Sequence, residues 1–227
     1  MTVIFSFCLY GDKPTYTRGM IANAHGLRER FPTARVQVYI AEDVPVDIRT
    51  ELASLPNVCL VPVPRRRETA NTLDRFRAFD DDDCEVMFVR DADSRVHARD
   101  AACIEDFLAS PAHILHIIRD HRFHTYPILA GMWGLRKNTN LLRSLTPLVE
   151  QWLTAHTSHA YLTDQHFLRT LLYPRLIALA MVHDRCHSFD PPTATRVPFR
   201  IPIEGSLFVG QVHKISDTGD ETLAYDP

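Results

Sequence analysis

The sequence predicts an α/β fold, a single domain with a mostly parallel central sheet flanked by helices, and three observations carry that prediction. Val3 to Leu9 is a near-continuous hydrophobic run, as a strand covered on both faces requires. Apolar runs of strand length then alternate with longer stretches of helical spacing, the pattern of parallel strands joined by helical crossovers. Finally, the β-rich part of Cys84 to Val96, CEVMFVRDADSRV, ends abruptly in Arg90, Asp91, Asp93, Ser94 and Arg95. A buried strand there delivers two carboxylates to its C-terminal edge, the edge at which open α/β sheets bind ligands.

Taken in order, the first strand is broken by Gly11, Asp12 and Pro14, and a helix is expected from about Thr15 to Arg30. Val36 to Ile40 alternates and reads as the second strand, Val46 to Ser54 as a short helix, and Val58 to Val63 as the third strand. Glu68 to Phe79 places Leu73, Phe76 and Phe79 at helical spacing and leads through the acidic turn 80–83 into the Asp-x-Asp strand. A helix over Asp100 to Ala109 and a strand over His113 to Ile118 follow. Arg119, Asp120, His121, Arg122, His124 and Tyr126 then crowd polar groups ahead of Pro127 to Gly134, a Gly-flanked Trp segment. Asn140 to His156 is expected to be helical, Tyr161 to Gln165 to open another helix through Leu172, and Leu176 to Val182 to be an apolar run ending in His183 and Asp184. Residues 1–215 form the expected domain and 216–227 a mobile tail.

Composition bounds the function classes. The chain has 227 residues, 45% of them hydrophobic, 23% charged, with a formal net charge of -3. That suits a soluble globular domain and gives no global basic field for nucleic acid, although Arg65, Arg66 and Arg67 make a local basic cluster. The five cysteines are odd in number and lack paired Cys-x-x-Cys spacing, so free thiols, a reducing cytoplasmic setting and no zinc are expected. Cys8, Cys59 and Cys84 lie in apolar runs, as buried hydrophobes do. The N-terminus lacks the basic residue and cleavage site of a signal peptide, and no apolar stretch approaches the roughly 20 residues of a membrane helix.

Two carboxylates at a strand end suit a hard cation such as Mg²⁺ or Mn²⁺, which takes oxygen ligands and bridges to phosphates. The simplest chemistry is therefore a metal-assisted nucleotide-diphosphate site at Asp91 and Asp93. The plain alternative is a strand-end loop whose carboxylates Arg90 and Arg95 neutralise. The Gly-flanked segment suggests a cleft, with Gly131 allowing close backbone approach and Trp133 either offering a face to a sugar ring or packing in the core. Thr163 or Asp164 could equally serve as a helix N-cap.

The order of these features resembles that of nucleotide-sugar-dependent glycosyltransferases of the GT-A fold, a Rossmann-like domain. Within them, RFRAFDDDDCEVMFVRDADSR, IIRDHRFHTYPILAGMWGLRK and LTDQHFL resemble a group of bacterial, algal and large-virus glycosyltransferase-like proteins. The resemblance covers most of residues 1–190. It implies that Asp93 binds the metal and Asp91 shares the metal or the ribose, with His183 completing the shell, or His213 as the alternative. It implies that Phe7, Cys8 and Tyr10 lie near base and ribose, with Ala92 inside the motif, and that Arg75 turns toward the nucleotide or the carboxylates. Asp164 and Gln165 carry the catalytic role: a base at Asp164 would invert the anomeric centre, whereas an Asp-Gln pair opening a helix resembles the retaining branch and tips the expectation toward retention. Arg119, Asp120, His121, His124, Gly131 and Trp133 would shape the sugar and acceptor pocket. The donor would be a UDP- or GDP-linked sugar and the acceptor a glycan or other hydroxyl compound, held by few residues or by a second subunit of a homo-oligomer.

Two other classes compete. A sugar nucleotidyltransferase usually carries a Gly-rich loop after its first strand, and CLYGDKPT has only Gly11. A binding module that keeps the fold without catalysis would not need Asp91, Asp93 and Asp164 together.

Overall fold

Side-chain alternation along the strands sorts the core into two halves. In the computed structural model, which describes residues 1–224, the first strand β1 (Val3–Leu9) sends Val3, Phe5, Phe7 and Leu9 to one face and Ile4 to the other. Helices α1 (Pro14–Arg30) and α2 (Val46–Ser54) cover the first face, and they link β1 to β2 (Arg35–Ala41) and β3 (Val58–Val63). The chain then crosses back to β4 (Val86–Arg90) on the other side of β1. Helix α3 (Ala98–Leu108) returns to the first face and leads to β5 (Leu115–Arg119). The strand β6 (Met132–Arg136), helices α4 (Thr146–Ala155), α5 (Thr163–Phe167) and α6 (Tyr173–Leu176), and the strands β7 (Ala180–Asp184) and β8 (Thr195–Val197) follow.

The eight strands form one sheet in the order β3-β2-β1-β4-β6-β5-β7-β8. Only β6 runs antiparallel to its neighbours; the other pairings are parallel. The predicted α/β class and mostly parallel sheet are therefore present. Because strand order reverses between β1 and β4, their C-terminal ends flank a crevice, the position where such sheets take ligands.

Four local readings are corrected. Residues Ala70–Asp80 form a 3-10 helix and not an α-helix. The apolar positions Ala70, Leu73, Phe76 and Phe79 recur every third residue and are all buried, so three residues per turn stacks them on one line, where 3.6 would rotate them off the core. The helix expected from Asn140 begins only at Thr146, after a turn bridging Asn138 and Leu142. The run Thr163–Leu179 is helical but changes pitch, widening to a π turn over Leu168–Leu172 that ends two residues before Pro174, which lacks the amide proton an α-helical turn needs. Residues 216–224, expected to be a mobile tail, instead supply the turn and second strand of a hairpin: β10 (Glu221–Leu223) pairs antiparallel with β9 (His213–Ile215). Residues 225–227 of that tail lie outside the described residues. All five cysteines are unpaired, and Cys59 is exposed because β3 is an edge strand. No helix among the described residues is long and apolar enough to cross a membrane.

Candidate active site

At the crevice between β1 and β4, one guanidinium holds two carboxylates. Arg75 enters from the 3-10 helix, whose position is fixed where Ser6 of β1 donates to the Arg75 carbonyl at 2.6 Å. Its Nη2 donates to Oδ2 of Asp164 at 2.8 Å, and its Nη1 to the Arg90 carbonyl at 3.1 Å and to Oδ1 of Asp91. The Arg75 side chain is 3% exposed and that of Asp164 11%, but that of Asp91 is 47% exposed, so Asp91 is the member that faces solvent. Burial raises the Asp164 carboxyl above its ordinary value, and Arg75 opposes the rise. A buried guanidinium that lost one carboxylate would be left partly uncompensated, a cost of about 3–5 kcal/mol in comparable buried pairs. The trio is therefore a fixed unit spanning β4, the 3-10 helix and α5.

The backbone around the trio shows strain and close approach. Leu162, immediately before α5, has φ 77°, an uncommon conformation for a branched residue. Gly131 packs directly on the Asp91 carboxylate. The loop before α5 is clasped to the loop before the 3-10 helix: Thr69 donates from Oγ1 to the His159 carbonyl at 2.6 Å, and the Glu68 carboxylate accepts the His159 amide proton.

Beside the trio lies a groove of about 530 Å³, lined by Asp93, Lys13, Tyr16, Lys214, Thr218 and Asp220 among others. The C-terminal hairpin forms its far wall. The His213 amide donates to the Asp93 carbonyl at 2.7 Å, and Ile215 donates its amide to Thr15 Oγ1 at 3.1 Å. Desolvation first, and the neighbouring charge of Asp91 second, push the Asp93 carboxyl up to about 7. On the other flank, the Arg65 guanidinium lies 4.6 Å from the centre of the Tyr10 ring and is held by Asp43 at 2.9 Å, which also accepts the Gly11 amide. The positive φ of Gly11 makes this turn feasible.

No protein-family model matches the sequence, and no curated protein matches it significantly. Solved structures do. A glycosyltransferase involved in the glycosylation of the major capsid of PBCV-1 superposes with a TM-score of 0.53 at 16% identity, covering 81% of each chain. The mannosyltransferase PcManGT from Pyrobaculum calidifontis, in complex with GDP-Man and Mn²⁺, gives 0.51 at 15% identity over 90% of this chain and 58% of that one. The 4-diphosphocytidyl-2C-methyl-D-erythritol synthase from Anaerococcus prevotii gives 0.50 at 10% identity over 88% and 89%. The chain has the GT-A fold.

Within that GT-A frame the residues singled out in the sequence fall into two groups. Asp91, Asp93, Arg75, Asp164, Cys8, Tyr10 and Gly131 gather at the crevice, with Gln165 beside Asp164 and buried. Cys8 faces the trio, and burial pushes its thiol up to about 12 with Arg75 opposing. The others are placed elsewhere. Phe7 is fully buried on the α1 face, because odd-numbered residues of β1 point away from the crevice. The Ala92 side chain is buried, and its carbonyl already accepts from Asn23 at 3.2 Å. Trp133 has no exposed surface: it packs edge-on to Phe76 and donates Nε1–H to Ala130, so it offers no stacking face. Arg119 is spent on Asp184 and Asp190, and Asp120 on Arg99 and the Val209 amide. His121 is buried against Phe208, and His124 accepts the amides of Asp120 and His121.

His183 is also absent from the crevice. It is buried between His116 at 3.1 Å and Asp106 at 3.3 Å, and β7 lies three strands from β4, about 14 Å at ordinary strand spacing. His213 is the histidine beside the motif, and its Nε2 has no partner among the described residues. The oxygen donors of Asp91 and Asp93 fit a hard cation. No three His, Cys, Asp or Glu side chains converge on one point among the described residues, so a cation here would take further ligands from phosphate and water, as Mg²⁺ does. Lys13, Tyr16, Lys214 and Arg65 escaped the sequence reading, except Arg65 as part of a basic cluster. The lysines have no local signal, since the hairpin that brings Lys214 to Asp93 is a contact between distant segments.

Proposed function

We propose that the chain transfers a sugar from a UDP- or GDP-linked donor to a hydroxyl acceptor, with Mn²⁺ or Mg²⁺ held by Asp91 and Asp93. The observation that carries this reading is the Arg75 bridge between Asp91 and Asp164 at the crevice of a GT-A fold. Fold likeness alone does not assign a reaction. It is the pairing of a solvent-facing carboxylate motif with a buried carboxylate on a second element that supports the transferase.

In this reading the base and ribose lie toward Tyr10 and Arg65, and the diphosphate lies over Asp91 and Asp93 with its groove side toward Lys13 and Lys214. A divalent cation, when bound, would neutralise charge growing on the departing diphosphate. The two lysines add to that stabilisation. Arg75 favours the ionised form of Asp164 against its burial and directs it at the donor sugar, and Gln165 follows it on the same helix. Both oxygens of Asp164 already accept hydrogen bonds, Oδ2 from Arg75 and Oδ1 from the Gln165 amide, which favours retention over base-assisted inversion. His213 is the better candidate than His183 for any imidazole ligand.

Calorimetry against UDP and GDP, with Mn²⁺ and then with EDTA, tests the reading. Metal-dependent binding of one nucleotide is expected, lost in Asp93→Asn with an unchanged circular-dichroism spectrum. Equal affinity with and without metal would remove the cation from the site. A nucleotidyltransferase stays as the second reading because one similar fold belongs to a cytidylyl-type synthase. Pyrophosphate release from a nucleoside triphosphate and a sugar phosphate would favour it.

A further inference from the structure

We infer that the turn after β5 is an acceptor subsite, built from Phe123 and Tyr126 with Arg122 and His166 beside them, and that it takes a carbohydrate presenting the apolar face of a pyranose ring. The inference rests on the glycosyl-transfer reading and names its acceptor class. Trp133, the aromatic residue the sequence offers for stacking, is buried; in the turn Phe123 is exposed and Tyr126 half-buried.

Placement comes first. The C-terminal ends of β4 and β5 lie on the same edge of the sheet with only β6 between them. Two strand spacings are about 10 Å, room for one donor sugar between the Asp91 carboxylate and the turn. Tyr126 meets His166 edge-on at 6.4 Å, two residues along α5 from Asp164, and the loop then runs back to Gly131 against Asp91. The turn thus touches α5, the helix that carries Asp164, and leads into the segment that packs on Asp91.

Its construction is that of a rigid platform. Phe123 is 62% exposed, yet the residues around it are locked. His121 packs edge-on to Phe123 at 5.0 Å and stacks on Phe208 at 4.2 Å. His124 Nδ1 accepts the amides of Asp120 and His121 at 3.0 and 3.1 Å, and Asp120 is held by Arg99 at 2.6 Å. A ring presented on a preformed turn loses little conformational freedom on binding. The Arg122 guanidinium lies 5.0 Å from the centre of the Phe123 ring, so a multidentate donor adjoins an apolar face. Sugars need that combination, an apolar surface for the C–H face with a few placed polar groups for hydroxyls.

The test uses saturation-transfer NMR on the whole chain with lactose, cellobiose and maltose as probes, alongside calorimetry with UDP and GDP plus Mn²⁺. At least one disaccharide is expected to receive saturation at its ring protons. Phe123→Ala should weaken it about five- to tenfold, the scale of one aromatic contact, and Phe123→Tyr should retain it, with nucleotide binding unchanged in both. Phe123 is exposed, so both variants keep the fold, which circular dichroism checks. No transfer to any of the three sugars, or equal affinity in Phe123→Ala, overturns the subsite. Sugar binding without nucleotide binding would keep the subsite and reject the transferase; nucleotide binding without sugar binding would do the reverse.

Discussion

At Gly131 an added Cβ would lie 1.8 Å from Oδ2 of Asp91, closer than any packing allows. The cheapest relief is to swing the half-exposed carboxylate away from Arg75. Gly131→Ala should therefore leave the melting temperature within a few degrees of wild type and weaken metal-dependent nucleotide binding at least about tenfold, a 1.4 kcal/mol effect. Equal affinity in the variant would show that the Asp91 position does not matter. Arg75 makes the complementary case. The resemblance predicted its direction, but not that it bridges Asp91 and Asp164, because a charged residue on a helix is exposed far more often than buried. Substituting Arg75→Lys keeps the charge but loses the planar fork that serves two carboxylates at once.

Among the elements, α4 shows how a start signal can be supplied from outside. Its own N-cap side chain makes no capping bond; instead Asp80, at the end of the 3-10 helix, accepts the amides of Leu145 at 2.9 Å and Thr146 at 2.6 Å. Asp80→Ala should cost about 1–2 kcal/mol in urea unfolding, the range of a lost cap, without altering the unfolding slope. A change below a few tenths of a kcal/mol would mean that water replaces the carboxylate. The same contact explains why the sequence places this helix too early: with its cap 65 residues away, nothing local marks the boundary. Pro147 in the first turn was the visible clue, since proline fits a helix start and not its interior.

Across the whole molecule, buried histidines make acid the weak side. His116 is held well below its ordinary value by burial and by His183, His124 is pushed down to about 3 by burial, and His183 is lowered for the same reason. Each is neutral when folded and protonates at an ordinary value when unfolded, so the unfolded state binds more protons below about pH 6.5. Stability is expected to be full above that pH and to fall progressively as pH drops toward 3. Asp93 works in the other direction. Its carboxyl, raised to about 7, favours the folded state fully below the ordinary carboxylate range and loses that contribution as pH rises through about 7. Thermal melts from pH 4 to 8 should climb steeply to near 6.5 and then flatten or dip, and Mn²⁺ should stabilise more at pH 8 than at pH 6. A flat profile below 6.5 would mean the histidines are solvated in the native state.

Hydrophobic runs, their alternation and a carboxylate pair at a strand end sufficed to determine the α/β class, most strand positions, and the sheet edge at which Asp91 and Asp93 lie. These are local properties, written in consecutive residues. Only the tertiary structure decided which polar side chains at that edge are free for chemistry. Arg119 and Asp120 looked reactive in sequence but are held by Asp190 and Arg99, and His121 is buried under Phe208, none of them a sequence neighbour. Lys214 and His213 reach Asp93 across more than a hundred residues through a hairpin that no local pattern ties to the motif. The physical reason is that a charge in sequence has no burial: its role depends on whether distant residues neutralise it or leave it facing the crevice.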